Sequence, residues 1–264
     1  MIERLLNLYA FLFARPSFRS LNYLFIQIGL RGIGVLNYRT SYLSGEDQTV
    51  EKIITTLDAK DGTVLDVGAN EGDFTNLVIS KSKSLRVLGF EPHPKTYSRL
   101  KLRFADKAQR VELLNCAVGN ETGEISLYDY DDHEGSEHAS VFKDAIEGPR
   151  CGKATEHRVK LVTLDSLEIR GEVQLLKIDV EGFELPVLQG ARKLINEKQP
   201  KFVVIEFNEM NVSSRTFMKD IMKELAGYRV ARILPGGNTL ELNKPYRPWN
   251  HEIFAYQNLL FTRI

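Results

Sequence analysis

The sequence predicts an α/β domain: a mostly parallel sheet with helices on both faces. Three observations carry that expectation. From Thr63 onward, short apolar runs alternate with amphipathic helical patterns, as parallel strands joined by crossover helices require. The runs at residues 173–178 and 202–207 are largely apolar, as strands covered on both faces are. The third is the stretch Val64-Leu65-Asp66-Val67-Gly68-Ala69-Asn70-Glu71-Gly72-Asp73-Phe74, a strand pattern that ends in a glycine-bracketed turn and a helix start. There the backbone can swerve with no Cβ in the way, and the next helix aims its positive N-terminus at the turn, which makes a nucleotide-sized pocket.

The chain of 264 residues is long enough for one large domain with an appendage. Its 35 basic and 35 acidic residues balance, so no global field recruits nucleic acid, and no nucleic-acid partner is expected. Cys116 and Cys151 make neither a disulfide framework nor a metal cluster, which fits a reducing, cytoplasmic setting. Glu3, Arg4, Arg15, Arg19 and Arg31 interrupt the N-terminal apolar runs, so none reaches the roughly 18 residues of a transmembrane span. Arg15-Pro16 stands where a cleavable signal would need small residues.

Residues 1–48 read as an N-terminal helical cap segment, rich in Leu, Phe, Tyr and Ile, ahead of a domain over 49–264. Such a segment closes over a pocket, makes a homo-oligomer contact, or lies on a membrane surface, and the lack of a polybasic face favours the cap. Ser44-Gly45-Glu46-Asp47 signals a helix start, and Val50, Ile53, Ile54 and Leu57 follow at helical spacing. Strands are expected at 63–67, 86–90 and 111–115, with helices at 73–80 and 94–106 between them. Residues 124–130 alternate like an antiparallel strand, 131–155 form a polar loop, and 158–163 read as another strand with Asp165 as an N-cap. Helices at 184–195, with Pro186 in the first turn, and at 213–226 flank the strand at 202–207. Strands at 228–234 and 254–261 close the chain around a Pro235-Gly236-Gly237-Asn238 turn.

The turn itself narrows the ligand. A dinucleotide fingerprint needs a third glycine where the backbone meets pyrophosphate, whereas here Asn70 takes that place and Glu71 adds a negative charge. A cationic cofactor with an amino-acid tail fits better, Asp66 and nearby carbonyls taking its ammonium and the turn's N–H groups its carboxylate. S-adenosyl-L-methionine is such a molecule. Glu91, 23 residues after Gly68, is placed to accept ribose hydroxyls, and Asn115 and Ala117 fall where an adenine edge would lie.

These segments, Val64–Gly72, Gly89-Phe90-Glu91-Pro92, Asn115-Cys116-Ala117-Val118-Gly119, Thr163-Leu164-Asp165 and above all Leu176-Lys177-Ile178-Asp179-Val180-Glu181-Gly182-Phe183-Glu184, resemble the FkbM-type family of S-adenosylmethionine-dependent methyltransferases over roughly residues 30–264. The resemblance implies a class I methyltransferase (Rossmann-like) fold with a seven-stranded sheet and a reversed final hairpin. It also implies O-methylation of a hydroxyl on a sugar, glycan or polyketide-like metabolite. Gly68, Ala69, Asn70, Gly72, Phe74, Pro92 and Asp179 join Asp66, Glu91, Asn115 and Ala117 as expected cofactor residues.

For the chemistry, Asp179 stands at the end of the central strand as general base or acceptor anchor, and Lys177, two residues earlier, is its charge partner or a hydroxyl ligand. Glu181 and Glu184 suit the start of the coming helix, while Glu206 can join Asp179 and Glu181 in an acidic cluster; no metal site is expected there. His133 and His138 in the polar loop are alternative bases, Ser140 is an acceptor contact on the resemblance alone, and Glu46 either caps its helix or meets the cofactor's tail. The competing readings are an NAD-dependent oxidoreductase or epimerase, which the missing third glycine disfavours, and a non-catalytic S-adenosylmethionine-binding protein. Adenine methylation of nucleic acid would need an Asn/Asp-Pro-Pro-aromatic stretch where Asp179-Val180-Glu181-Gly182 stands.

Overall fold

A computed structural model describes residues 1–57, 61–130, 139–147, 153–242 and 245–264. The N-terminal helices are α1 (Ile2–Phe13), α2 (Arg19–Gly32), α3 (Ser41–Ser44) and α4 (Glu46–Leu57). Then follow β1 (Gly62–Val67), α5 (Asp73–Lys81), β2 (Leu85–Phe90), α6 (Pro94–Arg103), β3 (Val111–Leu114), β4 (Ala117–Val118), β5 (Gly123–Tyr130), α7 (Lys143–Glu147) and β6 (Ala154–Val162). The second half comprises β7 (Val173–Ile178), α8 (Glu184–Gln189), α9 (Arg192–Glu197), β8 (Phe202–Phe207), α10 (Met210–Ser213), α11 (Met218–Glu224), β9 (Tyr228–Leu234), β10 (Asn238–Glu241), α12 (Pro248–His251) and β11 (Gln257–Arg263).

The main sheet runs β10-β9-β11-β8-β7-β1-β2-β3. Its strands β3, β2, β1, β7 and β8 are parallel, and β11 lies antiparallel between β8 and β9, which is the expected reversed hairpin. The sheet has eight strands rather than seven, because a short turn at Pro235–Gly237 sends β10 back along the exposed edge of β9. Alternation along each strand divides the core in two: Leu65, Val67, Leu176 and Ile178 face one cluster with α8 and α11, while Val64 and Leu175 face another with α4 and α5. All six residues of β7 are buried, which explains its nearly unbroken apolar run.

Residues 124–130 form the antiparallel strand that their alternation predicts, outside the main sheet: β5 pairs with β6 along its whole length, and β4 adds to β6, so a separate three-stranded sheet forms. Three local expectations differ. The helix expected over 184–195 breaks into α8 and α9 at Gly190, where a Cβ would overlap the Gly119 carbonyl oxygen. Asp165 does not cap its own turn, which Thr163 caps instead; its carboxylate accepts the Lys193 and Leu194 amides at 2.9 and 2.8 Å and so starts α9 from a distance. The helix expected over 213–226 likewise divides into α10 and α11 where Arg215 takes a positive φ.

The N-terminal segment divides as well. Val35 is buried, Leu36 donates its amide to the Tyr256 carbonyl at 2.8 Å, and α4 packs into the core. By contrast, α1 and α2 bury no residue and form a hairpin clasped by Tyr9 and Asn22. Among the described residues no helix is long and apolar enough to cross a membrane.

Because the Gly190–Gly119 approach joins α8 to the second sheet, Gly190→Ala is expected to destabilise the protein by about 1–3 kcal/mol, a drop in Tm of several degrees readable by calorimetry.

Candidate active site

The C-terminal ends of β1, β2 and β7 converge at the glycine turn. Gly68 has φ +85°, and a Cβ there would overlap the Asp179 carbonyl oxygen; Asp179 in turn donates its amide to the Val67 carbonyl at 3.0 Å. Gly68 and Ala69 both donate to the Phe90 carbonyl, at 3.0 and 2.9 Å, and Gly72 donates to Ala69. Asn70, at φ +46°, donates to Glu91 Oε2 at 2.9 Å. These four amides are therefore occupied within the turn. The expectation that the turn's amides take a ligand carboxylate is corrected for these four: Gly68 and Ala69 extend the pairing to β2, Asn70 binds the Glu91 carboxylate, and Gly72 closes the turn on Ala69.

A cleft enclosing ≈ 710 Å³ and open to solvent lies over this turn. Gly68, Asn70, Glu91, Pro92, Ala117 and Asp179 line it, as expected. Its apolar walls include Phe90, Cys116 and Val118 on one side, with Leu127 and Val141 brought by the second sheet and the chain beside it. Glu91 accepts the Asn70 and His93 amides, one on each oxygen, at 2.9 and 2.8 Å. Each oxygen keeps a lone pair for a ribose hydroxyl. Burial raises the Glu91 carboxyl to about 7, the two amides opposing that rise. A flat apolar slot, a carboxylate at its rim and a glycine that admits close approach fit S-adenosylmethionine.

The remaining expected cofactor residues do not line the cleft. Asp66 is fully buried, accepts the Thr75 hydroxyl at 2.6 Å, and has its carboxyl raised by desolvation; its Oδ1 has no hydrogen-bond partner among the described residues. Ala69 lies in the core, and Gly72 opens α5 at φ +86° close against Leu100 and Phe104. Phe74 offers its ring to the Lys177 ammonium, 5.5 Å from the centroid. Asn115 donates to the Glu91 and Pro92 carbonyls at 2.8 and 3.0 Å and so shapes the loop that carries Glu91.

A second cleft, ≈ 1450 Å³ and also open, shares Asn70, Asp179 and Glu181 with the first. Glu206, Asn208 and Glu209 form its floor, with Leu36, Tyr38, Phe254 and Tyr256 around them. Lys177 is buried and sits 3.0 Å from Asp179 Oδ2, confirming the pair read from their i, i+2 spacing. Burial alone pulls the ammonium down, but the carboxylates of Asp179, Glu46 and Asp66 reverse this and keep it protonated. Glu206 is raised well above the usual carboxylate range by burial and then by Asp179 and Glu181. Asn208 Nδ2 bridges Glu206 and Glu181 at 2.7 and 3.2 Å, so the expected acidic cluster is assembled.

Glu181 adopts φ +49°, held by the Ser140 hydroxyl, which donates to its carbonyl at 2.9 Å. Ser140 is buried and spent on that contact, so it does not face an acceptor. Glu184 has the bland role: its carboxylate accepts the Gly182 amide and the Asn211 side chain at the start of α8. Glu46 begins α4, accepts from Asn258 at 3.2 Å, and has its carboxyl raised by burial, with Lys177 opposing. His133 and His138 lie outside the described residues. Among the described residues, no three His, Cys, Asp or Glu side chains are grouped to hold a metal ion. Sequence reasoning missed Tyr38, Asn208 and Tyr256; only Asn208, two residues beyond Glu206, carried a local signal.

Five parallel strands and a reversed hairpin, with a cleft built on Gly68 and Glu91, define the class I methyltransferase fold. The family model of the methyltransferase FkbM domain matches residues 66–230, more than half the chain, and the chain belongs to that family. It is 29% identical over 177 residues to the hexuronic acid methyltransferase AglP of Haloferax volcanii, covering 65% of this chain and 66% of that one. Methyltransferase 1 of Beauveria bassiana is 28% identical over 49% of this chain and 58% of its own. The 2-O-methyltransferase NoeI of Sinorhizobium fredii is 19% identical over 70% and 80%. The chain thus spans under two thirds of the first two relatives. An rRNA methylase structure from Streptococcus thermophilus aligns over 81% of this chain and 93% of that one, at 11% identity and a TM-score of 0.43, a likeness too distant to bear on substrate.

With its carboxyl at about 7, Glu91 gains charge between pH 6 and 8. An ionised carboxylate accepts ribose hydroxyls more strongly, so calorimetric affinity for S-adenosylmethionine should rise on the alkaline side, relative to Glu91→Gln, by about tenfold. Equal pH profiles for the two proteins would place the ribose elsewhere.

Proposed function

We propose that the protein transfers the methyl group of S-adenosylmethionine to a hydroxyl of a sugar, glycan or polyketide-like metabolite, with Asp179 as base or anchor. The observation that carries this is the meeting of two clefts on one carboxylate: Asp179 lines both the cofactor-sized slot and the acidic cleft beside it. The name of the Haloferax relative, a hexuronic acid methyltransferase, supports a sugar-type acceptor, and that of the Sinorhizobium relative, a 2-O-methyltransferase, supports transfer to oxygen.

When bound, S-adenosylmethionine supplies an electrophilic methyl on a sulfonium. The chain's own residues provide the rest. Glu91 and the Gly68 turn hold the cofactor, and the Asp179 carboxylate accepts the acceptor's hydroxyl proton or anchors that hydroxyl in line. Lys177, 3.0 Å away, fixes the orientation of Asp179. Glu181 and Glu206, joined through Asn208, offer acceptor oxygens to further hydroxyls, and Tyr38, Phe254 and Tyr256 give flat apolar surfaces for a ring.

Asp179→Asn is expected to lower turnover by about 10²–10⁴-fold, while calorimetry finds cofactor affinity within a few-fold of the parent. Unchanged turnover, in a screen of methyl transfer to glycans and hydroxylated metabolites, would remove Asp179 from the mechanism.

The carboxylates of Asp179, Glu181 and Glu209 around the second cleft also set a preference. A neutral polyhydroxyl acceptor should be methylated with kcat/KM about tenfold or more above its carboxylated analogue, since like charges at short range are repelled. A better rate with the uronic acid than with the neutral sugar would contradict this.

A further inference from the structure

The α1–α2 hairpin takes no part in the clefts, and its surface is unlike the rest of the molecule. On α1, Leu5, Leu8 and Leu12 recur at i, i+3 and i+7, with Leu5 66% exposed; nearby Phe11 is 76% exposed. On α2, Leu21, Leu24, Phe25 and Ile28 recur at i, i+3, i+4 and i+7, the last 57% exposed. That spacing lays a continuous apolar stripe along each helix. In a water-facing helix such a stripe is unfavourable, and here no element of the domain covers either one, since neither helix has a buried residue.

The hairpin is nonetheless internally ordered. The Tyr9 hydroxyl donates to Asn22 Oδ1 at 2.6 Å, Asn22 Nδ2 donates to the Phe13 carbonyl at 3.0 Å, and the Tyr9 and Phe13 rings stack at 4.9 Å. Its polar and aromatic contacts face inward between the helices, while the leucine and isoleucine stripes remain outside.

Charge identifies what covers them. Residues 1–32 carry Arg4, Arg15, Arg19 and Arg31 against Glu3 alone, a surplus of three positive charges. Because 35 basic and 35 acidic residues balance over the whole chain, the remainder has a surplus of three negative charges. We propose that the α1–α2 hairpin is a membrane-surface anchor that seats this methyltransferase on an anionic lipid bilayer. The helices, of 12 and 14 residues, are too short to span but long enough to lie in the interface with their stripes about 5–10 Å deep. Arginines beside the stripes meet anionic headgroups, their stems lying along the apolar surface, and the acidic remainder is repelled outward so that the clefts stay in water. Hairpin-to-hairpin pairing of two copies would instead bring two positive surpluses together. The charge is spread over the hairpin rather than gathered in a polybasic run, which is why the sequence alone favours a cap over a membrane surface.

The test is co-sedimentation of the full chain with phosphatidylcholine vesicles, with and without roughly a third phosphatidylglycerol, at low and raised salt. The expected result is binding to the anionic vesicles, weakened by salt, and weakened about tenfold or more by Leu5→Glu with Phe11→Glu, or by Leu24→Glu with Ile28→Glu. Unchanged S-adenosylmethionine affinity in these variants shows that the domain remains folded. Three outcomes overturn the proposal: no vesicle binding by the parent, binding indifferent to both pairs of substitutions, or a hairpin-dependent dimer in sedimentation equilibrium without vesicle binding.

Discussion

The molecule depends on the contact of one turn with one carbonyl. Gly68 has no Cβ, so the Asp179 carbonyl oxygen can lie against it, while the Asp179 amide reaches back to Val67. That approach fixes the ends of β1 and β7 at one height, and the amides of Gly68 and Ala69, both given to Phe90, fix β2 beside them. Three strand ends then present three side chains, Asn70, Glu91 and Asp179, to a common space. Any other residue at position 68 would push the strands apart and separate the cofactor slot from the cleft next to it.

The same junction concentrates charge in a place where charge is poorly solvated. Lys177 lies beneath Asp179, with Asp66 and Glu46 close enough to hold its ammonium in the protonated form despite burial. Removing water from a carboxylate raises its pKa, and Glu91, Glu206 and Glu46 all show that direction. The buried cation partly compensates for that burial. It also makes the pair directional, since an ammonium 3.0 Å from Oδ2 leaves Oδ1 for whatever enters the second cleft.

The walls of the site come from elements distant in sequence. The small sheet of β4, β6 and β5 brings Leu127 and Val141 over the cofactor slot, while the Gly190–Gly119 contact holds that sheet to α8. Ser140 extends from the same region to hold Glu181 in its left-handed conformation. On the other side Leu36 and Tyr38 arrive from the N-terminal segment, tied to Tyr256 by a backbone hydrogen bond.

The reversed hairpin came from the family resemblance; local pattern was enough for the strands, the glycine turn and the adjacency of Lys177 and Asp179, because period and spacing act over a few residues and dominate there. It was enough for the cofactor too: Asn70 and Glu71 in the turn already disfavour a pyrophosphate. It did not tell that Asp66, Ala69, Phe74 and Asn115, which belong to the same motifs, do not line the cleft. Which face of a strand end reaches the ligand depends on the layer packed against it. Nor did it show that Ser140 is a brace, that Asp165 starts a helix 27 residues away, or that residues 1–32 stand clear of the domain. The sequence by itself determined the order of elements and the place of the glycine turn. Only the tertiary structure decided which side chains share a cleft, because that follows from long-range packing, and residues such as Tyr38 and Tyr256 carry no trace of one another in their own neighbourhoods.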